Sequence, residues 1–395
     1  MSYLIFCSFE VGGLPYKMAE ILNRNGINTY YLSVNFGASG HDSASFHYGN
    51  DRQSSWNLTN LLAGCRFSDA KLVRKLRAIK REFNISHSFA TGFKSYLLKN
   101  AGINYIYWSF GADLDQQCFR PVWPAAYPLW KKLLKFPYSM LFVKPQARKS
   151  IIASDSVMIA PYQIKALKEL GYNGSLFFFP HFFEVEEFES LKNRRMECKD
   201  KICRKLGIGN YFFSSTRHFW AGVNHNLSDN KGNDVMLRSF ACYLKLSDDD
   251  ESTLVLIEKG PDVYASKILA KQLEIENRIV WLPQVPRDEL NDFYLGSTLC
   301  FGQFGTPVLA FSALEPMANA SVCVTFIGND KPEIPFYNTL PPLINSMSPG
   351  VIANRMLELA KSPDKLAEMQ FASWQWIKQN CSELQFSTVF RNCFK

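Results

Sequence analysis

Residues 231–285, KGNDVMLRSFACYLKLSDDDESTLVLIEKGPDVYASKILAKQLEIENRIVWLPQV, pass twice between two kinds of pattern. NDVMLRSFACYLK and DVYASKILAKQLEI carry apolar residues at helical spacing. STLVLIEKG and RIVWLPQV instead open on short apolar runs of strand character. Helix and strand in alternation predict a parallel sheet, because each parallel crossover needs a helix to cover a face. The rhythm continues outward, with YFFSSTRHF before this stretch and RDELNDFYLG, STLCFGQF and SVCVTFI after it.

The first half repeats the scheme. YLIFCSF, NTYYLSV, ISHSFA, INYIYWS, SVMIA and SLFFFPHF read as strands; LPYKMAEILNRNG, DAKLVRKLRAIKREF and PYQIKALKELG read as helices. Between the halves, residues 183–201 (FEVEEFESLKNRRMECKDK) are charged and lack strand character, which predicts a linker leading into a helix. The expected class is therefore α/β, with two doubly wound Rossmann-like domains facing across a cleft. They are expected at 1–185 and 186–372, with a helix in 373–395 returning to the first domain. Such sheets bind ligands at the carboxyl ends of their strands, so the cleft is the expected site.

At 395 residues the chain is long for one core and comfortable for two. Its 47% hydrophobic and 20% charged content is that of an ordinary globular protein, and no run approaches the roughly 20 apolar residues of a spanning helix. MSYLIFCSFEVGG lacks a basic segment and a small-residue cleavage site, so it reads as a first strand and not as a signal peptide. Ten cysteines without a CxxC pair predict free thiols in a reducing compartment, the cytosol, and no metal site. A net charge of +8 suits anionic lipid, a phosphorylated ligand or nucleic acid without choosing among them.

Candidate ligand residues stand where strands end. Gly12 and Gly13 follow the first strand, where backbone N–H groups can meet a phosphate and where a tight turn also wants glycine. Arg217 follows YFFSS, and Lys231 starts the next helix; two such cations suit a diphosphate. Gly260 ends another strand. In FSALEPMANASVCVTF (311–326), Glu315 is a lone carboxylate among apolar and small residues, expected to begin a helix. An unpaired buried carboxylate is costly, so it needs a partner: ribose hydroxyls, or the helix dipole it would offset.

KGNDVMLRSFACYL, LIEKGPDVYASKILAKQLEIENRIVWLPQVPRDEL and LEPMANASVCV, in this order, resemble the C-terminal domain of family-4 glycosyltransferases of the GT-B fold. That family repeats a KG.D helix start, a glycine after the next strand and an EAMA.G.PV helix, from which Pro316 and Ala320 depart here. The likeness covers roughly residues 211–327 well and the first half in outline. It implies a retaining transferase that takes a sugar from a nucleoside diphosphate, UDP- or GDP-linked. The acceptor is a saccharide or a lipid-linked molecule, in cell-surface polysaccharide or lipopolysaccharide synthesis. Arg217 and Lys231 would hold the diphosphate and Glu315 the ribose.

The family's second glutamate, eight positions earlier, falls on Pro307, which makes Gln303 in FGQFG the candidate for the donor sugar. The family also implies a histidine near the reacting sugar. His87 in ISHSFATG comes first and His218 second, with Asp113 in FGADL orienting the acceptor or His87, or capping a helix. No DxD-like loop stands out, since SDDDES at 247–252 reads as a solvated turn, so the expectation is transfer without metal or cofactor. Cations and a helix N-terminus would instead stabilise the leaving diphosphate.

Residues 119–150 interleave Trp and Tyr with Lys131, Lys132, Lys135, Lys144, Arg148 and Lys149. That mixture fits either the headgroup zone of an anionic membrane or an aromatic core helix with a basic outer face. The rival functions are a sugar-nucleotide epimerase or glycan phosphorylase of the same fold and a catalytically inactive sugar-nucleotide-binding protein. Nucleic-acid binding is not expected, because no recognisable module accompanies the basic residues.

Overall fold

The computed structural model describes residues 1–8, 13–34, 54–62, 68–109, 114, 118–119, 129–160, 163–178, 181–221, 230–247, 249–328, 337 and 339–392. Gly12 and Asp113 lie outside the described residues. The chain divides into two compact units, Met1–Pro180 with Ser387–Lys395, and His181–Phe386.

The first unit contains β1 (Ser2–Cys7), α1 (Leu14–Arg24), β2 (Thr29–Ser33), α2 (Asp69–Glu82), β3 (Ile85–Thr91), α3 (Tyr96–Asn100) and β4 (Asn104–Trp108). Next come α4 (Leu129–Tyr138), a π-helical turn (Ser139–Val143), α5 (Lys144–Ile152), β5 (Ser156–Ile159), α6 (Ile164–Glu169) and β6 (Ser175–Phe178). The six strands are parallel in the order β2-β1-β3-β4-β5-β6. Alternate residues serve opposite faces. Leu4, Phe6, Tyr105 and Tyr107 pack with Leu72 and Leu76 of α2 and Leu97 of α3. The other parity carries Tyr3 and Phe89, against which Phe390 packs with ring centroids at 5.1 and 4.9 Å.

The second unit contains α7 (Phe188–Leu206), β7 (Asn210–Ser214), α8 (Asn233–Leu246), β8 (Ser252–Ile257), α9 (Val263–Gln272), β9 (Ile279–Leu282), α10 (Arg287–Gly296) and β10 (Cys300–Phe301). It continues through α11 (Phe311–Ala318), β11 (Cys323–Thr325), β12 (Ile344–Asn345), α12 (Pro349–Ala360) and α13 (Pro363–Asn380). The last helix, α14 (Glu383–Asn392), ends in the segment assigned to the first unit. The strands are parallel in the order β12-β11-β10-β7-β8-β9.

Three consecutive aromatics in β7 explain why this sheet is covered on both sides. Phe212 joins Leu254, Leu256 and Phe301 beneath α8, meeting Tyr243 edge-on at 5.0 Å. Tyr211 and Phe213 turn the other way, and Phe213 stacks on Phe293 of α10 at 5.1 Å. A strand apolar at every position is stable only between two layers of helices. Both sheets are thus Rossmann-like, as the alternation in the sequence predicts.

Two boundaries differ from the expected ones. The charged stretch 183–201 is mostly α7, which caps on Gly207 in the left-handed conformation (φ 66°) and belongs to the second unit. Most of its charges lie on the solvent side, while Leu191, Cys198 and Ile202 are buried and Arg195 reaches inward to donate to the carbonyls of Leu295 (2.7 Å) and Ala320 (2.6 Å). The returning segment begins at Ser387 and not at 373. Helix α13 stays with the second unit because Trp374 and Trp376 are buried there, donating to the carbonyls of Glu186 (2.8 Å) and Thr339 (3.1 Å).

Phe390 is therefore the anchor of the chain's last turn. Phe390→Ala is expected to destabilise the first unit by about 3–5 kcal/mol through lost burial and cavity formation. Thermal unfolding followed by circular dichroism checks this, with Tyr264→Ala at a 76% exposed position as the unaffected control.

Candidate functional site

In the second sheet the strand order reverses between β7 and β10. The connections leaving these neighbours run in opposite directions, which leaves a crevice at their carboxyl ends. Lys231 ties the two loops there. Its N–H donates to Phe219 O at 2.8 Å, and its carbonyl accepts from Phe304 N at 2.8 Å. Its side chain then turns to β10, where Nζ donates to Gln303 Oε1 at 2.9 Å. Gln303 is only 4% exposed, and its backbone carbonyl accepts from Thr325 Oγ1 at 2.6 Å. Arg217, on the β7 loop, is exposed, with its guanidinium carbon 5.7 Å from the Phe219 ring centre.

Glycine permits this closeness. Gly232, the left-handed N-cap of α8, has no room for a side chain: a Cβ would lie 2.8 Å from Gly305 N and from Phe304 Cβ. Gly305 in turn faces Asn230 O, which a Cβ would approach to 2.5 Å. Backbone thus packs directly against backbone here, and the N-terminus of α8 opens at the crevice.

Glu315 answers the question its sequence context raises. It lies in the second turn of α11, not at the helix start as expected, so offsetting the dipole at the first turn is not its role. Arg287 Nη1 donates to Oε1 at 2.8 Å and Tyr294 OH to Oε2 at 2.9 Å, both from α10. Tyr294 OH also lies 2.6 Å from Ser215 Oγ, so the network reaches the end of β7. Burial and the neighbouring carboxylate hold the Tyr294 phenol well above its usual range, keeping it a donor. Each carboxylate oxygen accepts one of these bonds and retains capacity for another, which suits a pair of hydroxyls. Arg287 and Tyr294 stand seven residues apart, two turns on one face of RDELNDFYLG, and that spacing is the signal by which the sequence could have paired them with Glu315.

The remaining candidates fall elsewhere. Gly260 (φ 115°) supports the β7 loop from below, because a Cβ would lie 2.3 Å from His218 O. His218 is itself fully buried, with Nδ1 2.9 Å from Ser266 Oγ, and burial pushes its pKa down to about 4. Asp262, the N-cap residue of α9, completes this support by accepting from Trp220 N (2.6 Å) and Ala221 N (2.9 Å).

In the first unit, Gly13 is left-handed (φ 71°) and caps α1, the tight-turn geometry its sequence suggests. His87 is the third residue of β3, registered with Tyr3 and with Asn104 at the start of β4. It therefore sits toward the amino edge of the sheet, the opposite end from the one where such sheets bind ligands. The sheet's order reverses between β1 and β3, and there Ser8 Oγ donates to Thr91 O at 3.1 Å and accepts from Lys94 N at 3.2 Å. The sequence reading did not single out Ser8.

No family model matches this chain, and no curated protein matches it in sequence. Solved structures do. A glycosyltransferase from Rickettsia africae matches at TM-score 0.62 and 13% identity, over 100% of this chain and 97% of its own. Anabaena HepE, solved in complex with UDP-glucose, matches at 0.62 and 12% over 100% and 99%. The lipopolysaccharide outer core galactosyltransferase WaaB matches at 0.51 and 14% over 99% and 98%. The fold is GT-B. Across the GT-B likeness the identity is low, so what these chains share is the order and packing of elements. Ala320, just after α11, adopts the left-handed φ of 54° although it is not glycine.

Two outcomes are expected. Gly260→Ala should destabilise the second unit by about 3 kcal/mol or more, since both the backbone conformation and the contact with His218 forbid a Cβ; denaturant unfolding reads this. Stability should also fall on acidification. His218 and His181 are neutral when folded, with pKa values lowered by burial to about 4 and about 3. Below about pH 6.5 the unfolded chain binds protons that the folded one refuses, so the stabilisation present at pH 7 declines as pH falls. At pH 5 the loss per histidine is roughly 2 kcal/mol. His218→Gln should flatten the slope between pH 7 and 5, as urea midpoints at both values would register.

Proposed function

We propose that this chain is a retaining glycosyltransferase that moves a sugar from a nucleoside-diphosphate sugar to a saccharide or lipid-linked acceptor. The observation that carries the reading is the convergence at the β7/β10 reversal of Lys231, Gln303 and the Glu315 network, beside the N-terminus of α8. In the proposed mechanism the diphosphate lies against that helix end. Arg217 supplies a forked donor and Lys231 a point charge, together offsetting the negative charge that develops as the anomeric C–O bond breaks. Glu315, oriented by Arg287 and Tyr294, accepts the two ribose hydroxyls. Gln303 faces the donor sugar in place of the family's glutamate at position 307, a proline here.

The acceptor hydroxyl then attacks from the face the diphosphate leaves and gives its proton to the departing diphosphate, a step that needs no protein nucleophile and retains the anomeric configuration. In this reading the leaving group is stabilised by cations of the chain without metal or cofactor. Solved structures of Anabaena HepE hold UDP and UDP-glucose, and WaaB is a lipopolysaccharide galactosyltransferase. These neighbours support a nucleotide-sugar donor and, for the pathway, surface polysaccharide or lipopolysaccharide assembly. Gly12, Asp113 and His87 receive no role in this scheme.

Calorimetric titration with UDP, GDP and ADP tests the proposal. One diphosphate is expected to bind, and Lys231→Ala or Glu315→Gln to weaken it by about tenfold or more, since each loses a charge-assisted contact worth about 1.5–3 kcal/mol. Binding unchanged by EDTA and a product of retained configuration by NMR complete the expectation. Binding without turnover would make the chain a sugar-nucleotide-binding protein, and no binding would end the donor-site reading.

A further inference from the structure

Seven of the 19 exposed large hydrophobic residues among the described residues fall within the 24 residues 129–152. Trp130, Leu133, Phe136, Tyr138, Leu141 and Phe142 are 49–68% exposed, about two per helical turn, and the Tyr138 and Phe142 rings stack at 5.7 Å. The sequence alone allowed a core helix here, but these side chains face solvent. Isolated exposed hydrophobics are ordinary; a contiguous run of this kind marks a surface that is covered in use. Pro137 interrupts α4 and is followed by the π-helical turn, so α4, the turn and α5 form one helical segment that presents this run.

Charge decides what covers it. The 24 residues contain six Lys or Arg and no Asp or Glu, so they carry +6 of the chain's net +8, and no acidic residue occurs between Asp115 and Asp155. Lys144, Arg148 and Lys149 line a cavity of about 690 Å³ together with Met140, Pro145 and Ile152, cations above an apolar floor. Lys149, its ammonium 4.4 Å from the Tyr96 ring centre, also borders a second cavity of about 600 Å³ that α2 lines with Arg74, Arg77 and Asp69. Aromatic and aliphatic side chains followed on the same helical segment by cations match the boundary between headgroups and acyl chains of a bilayer rich in anionic lipid. No described helix is long and apolar enough to cross a membrane, so the segment would lie in the plane of the surface.

We propose that residues 129–152 dock this protein on an anionic membrane, with the exposed rings in the interface and Lys144, Arg148 and Lys149 on lipid phosphates. The inference is independent of the donor-site reading. The test is co-sedimentation of the full chain with vesicles of phosphatidylcholine alone or with about 30% phosphatidylglycerol. Anionic vesicles are expected to bind at least about tenfold more strongly, with the difference collapsing at high salt. Lys144→Glu/Arg148→Glu and, separately, Leu133→Asp/Leu141→Asp should each lower binding by about fivefold or more at unchanged thermal midpoint. Equal binding to both vesicles, or variants that bind like wild type, would overturn the proposal. So would a dimer seen by light scattering that the Leu133→Asp/Leu141→Asp variant abolishes without any vesicle binding, which would make the surface a contact between two copies.

Discussion

The backbone of Lys231 bonds the loop after β7 to the loop after β10, and the second unit's candidate site depends on that strap. Two parallel neighbours whose crossovers leave in opposite directions would otherwise splay at their carboxyl ends. Bonds from Lys231 to Phe219 and from Phe304 to Lys231 hold them together, and glycines at 232 and 305 make the approach sterically possible. With the main chain so held, the ammonium is positioned by its own backbone before any ligand arrives, and the contact with Gln303 fixes its direction. Preorganisation of this sort is what lets a fixed charge act on a developing one without the cost of reorientation.

Glu315 shows the same economy on the other side of β7. A carboxylate on a helix whose only other polar side chain is Ser312 is tolerable because α10 supplies both a cation and a phenol, at positions two turns apart. Its side chain keeps 15% exposure, so the pair is neither fully desolvated nor a solvated surface bridge. Stability alone does not call for such an arrangement, since an apolar trio would pack as well. An oriented acceptor facing the end of a strand is what the network provides, and the link through Tyr294 to Ser215 ties its direction to the sheet itself.

Support for the β7 loop comes from Gly260 and His218, which look like ligand residues in the sequence, and from Asp262. Exposed Gly260 and buried His218 and Asp262 form an undercarriage: a glycine beneath a carbonyl, a neutral imidazole on a serine, a carboxylate on two amides. In a linear reading a strand-end glycine or histidine suggests substrate contact as readily as loop support. Distance and burial separate the two, and neither is encoded in spacing. His87 illustrates the converse, because a residue in the run ISHSFA belongs to either edge of the sheet until the strand register is known.

The alternation of runs such as STLVLIEKG and DVYASKILAKQLEI determined by itself that this chain builds two parallel sheets under helices, since pattern periods of two and 3.6 are properties of neighbouring residues. Arg217 and Lys231 stand in the connection after a strand, as their sequence positions predict, whereas Glu315 lies in the second turn of a helix. Only the tertiary structure decided which strands are neighbours, and hence that Lys231 meets Gln303, 72 residues away, and that Glu315 meets Arg287. It decided too that Trp374 stays with the second unit while Phe390 joins the first, and that the aromatics of residues 129–152 face water. Such choices turn on contacts between distant segments, where burial and chain-closure entropy compete, and no local period records their outcome.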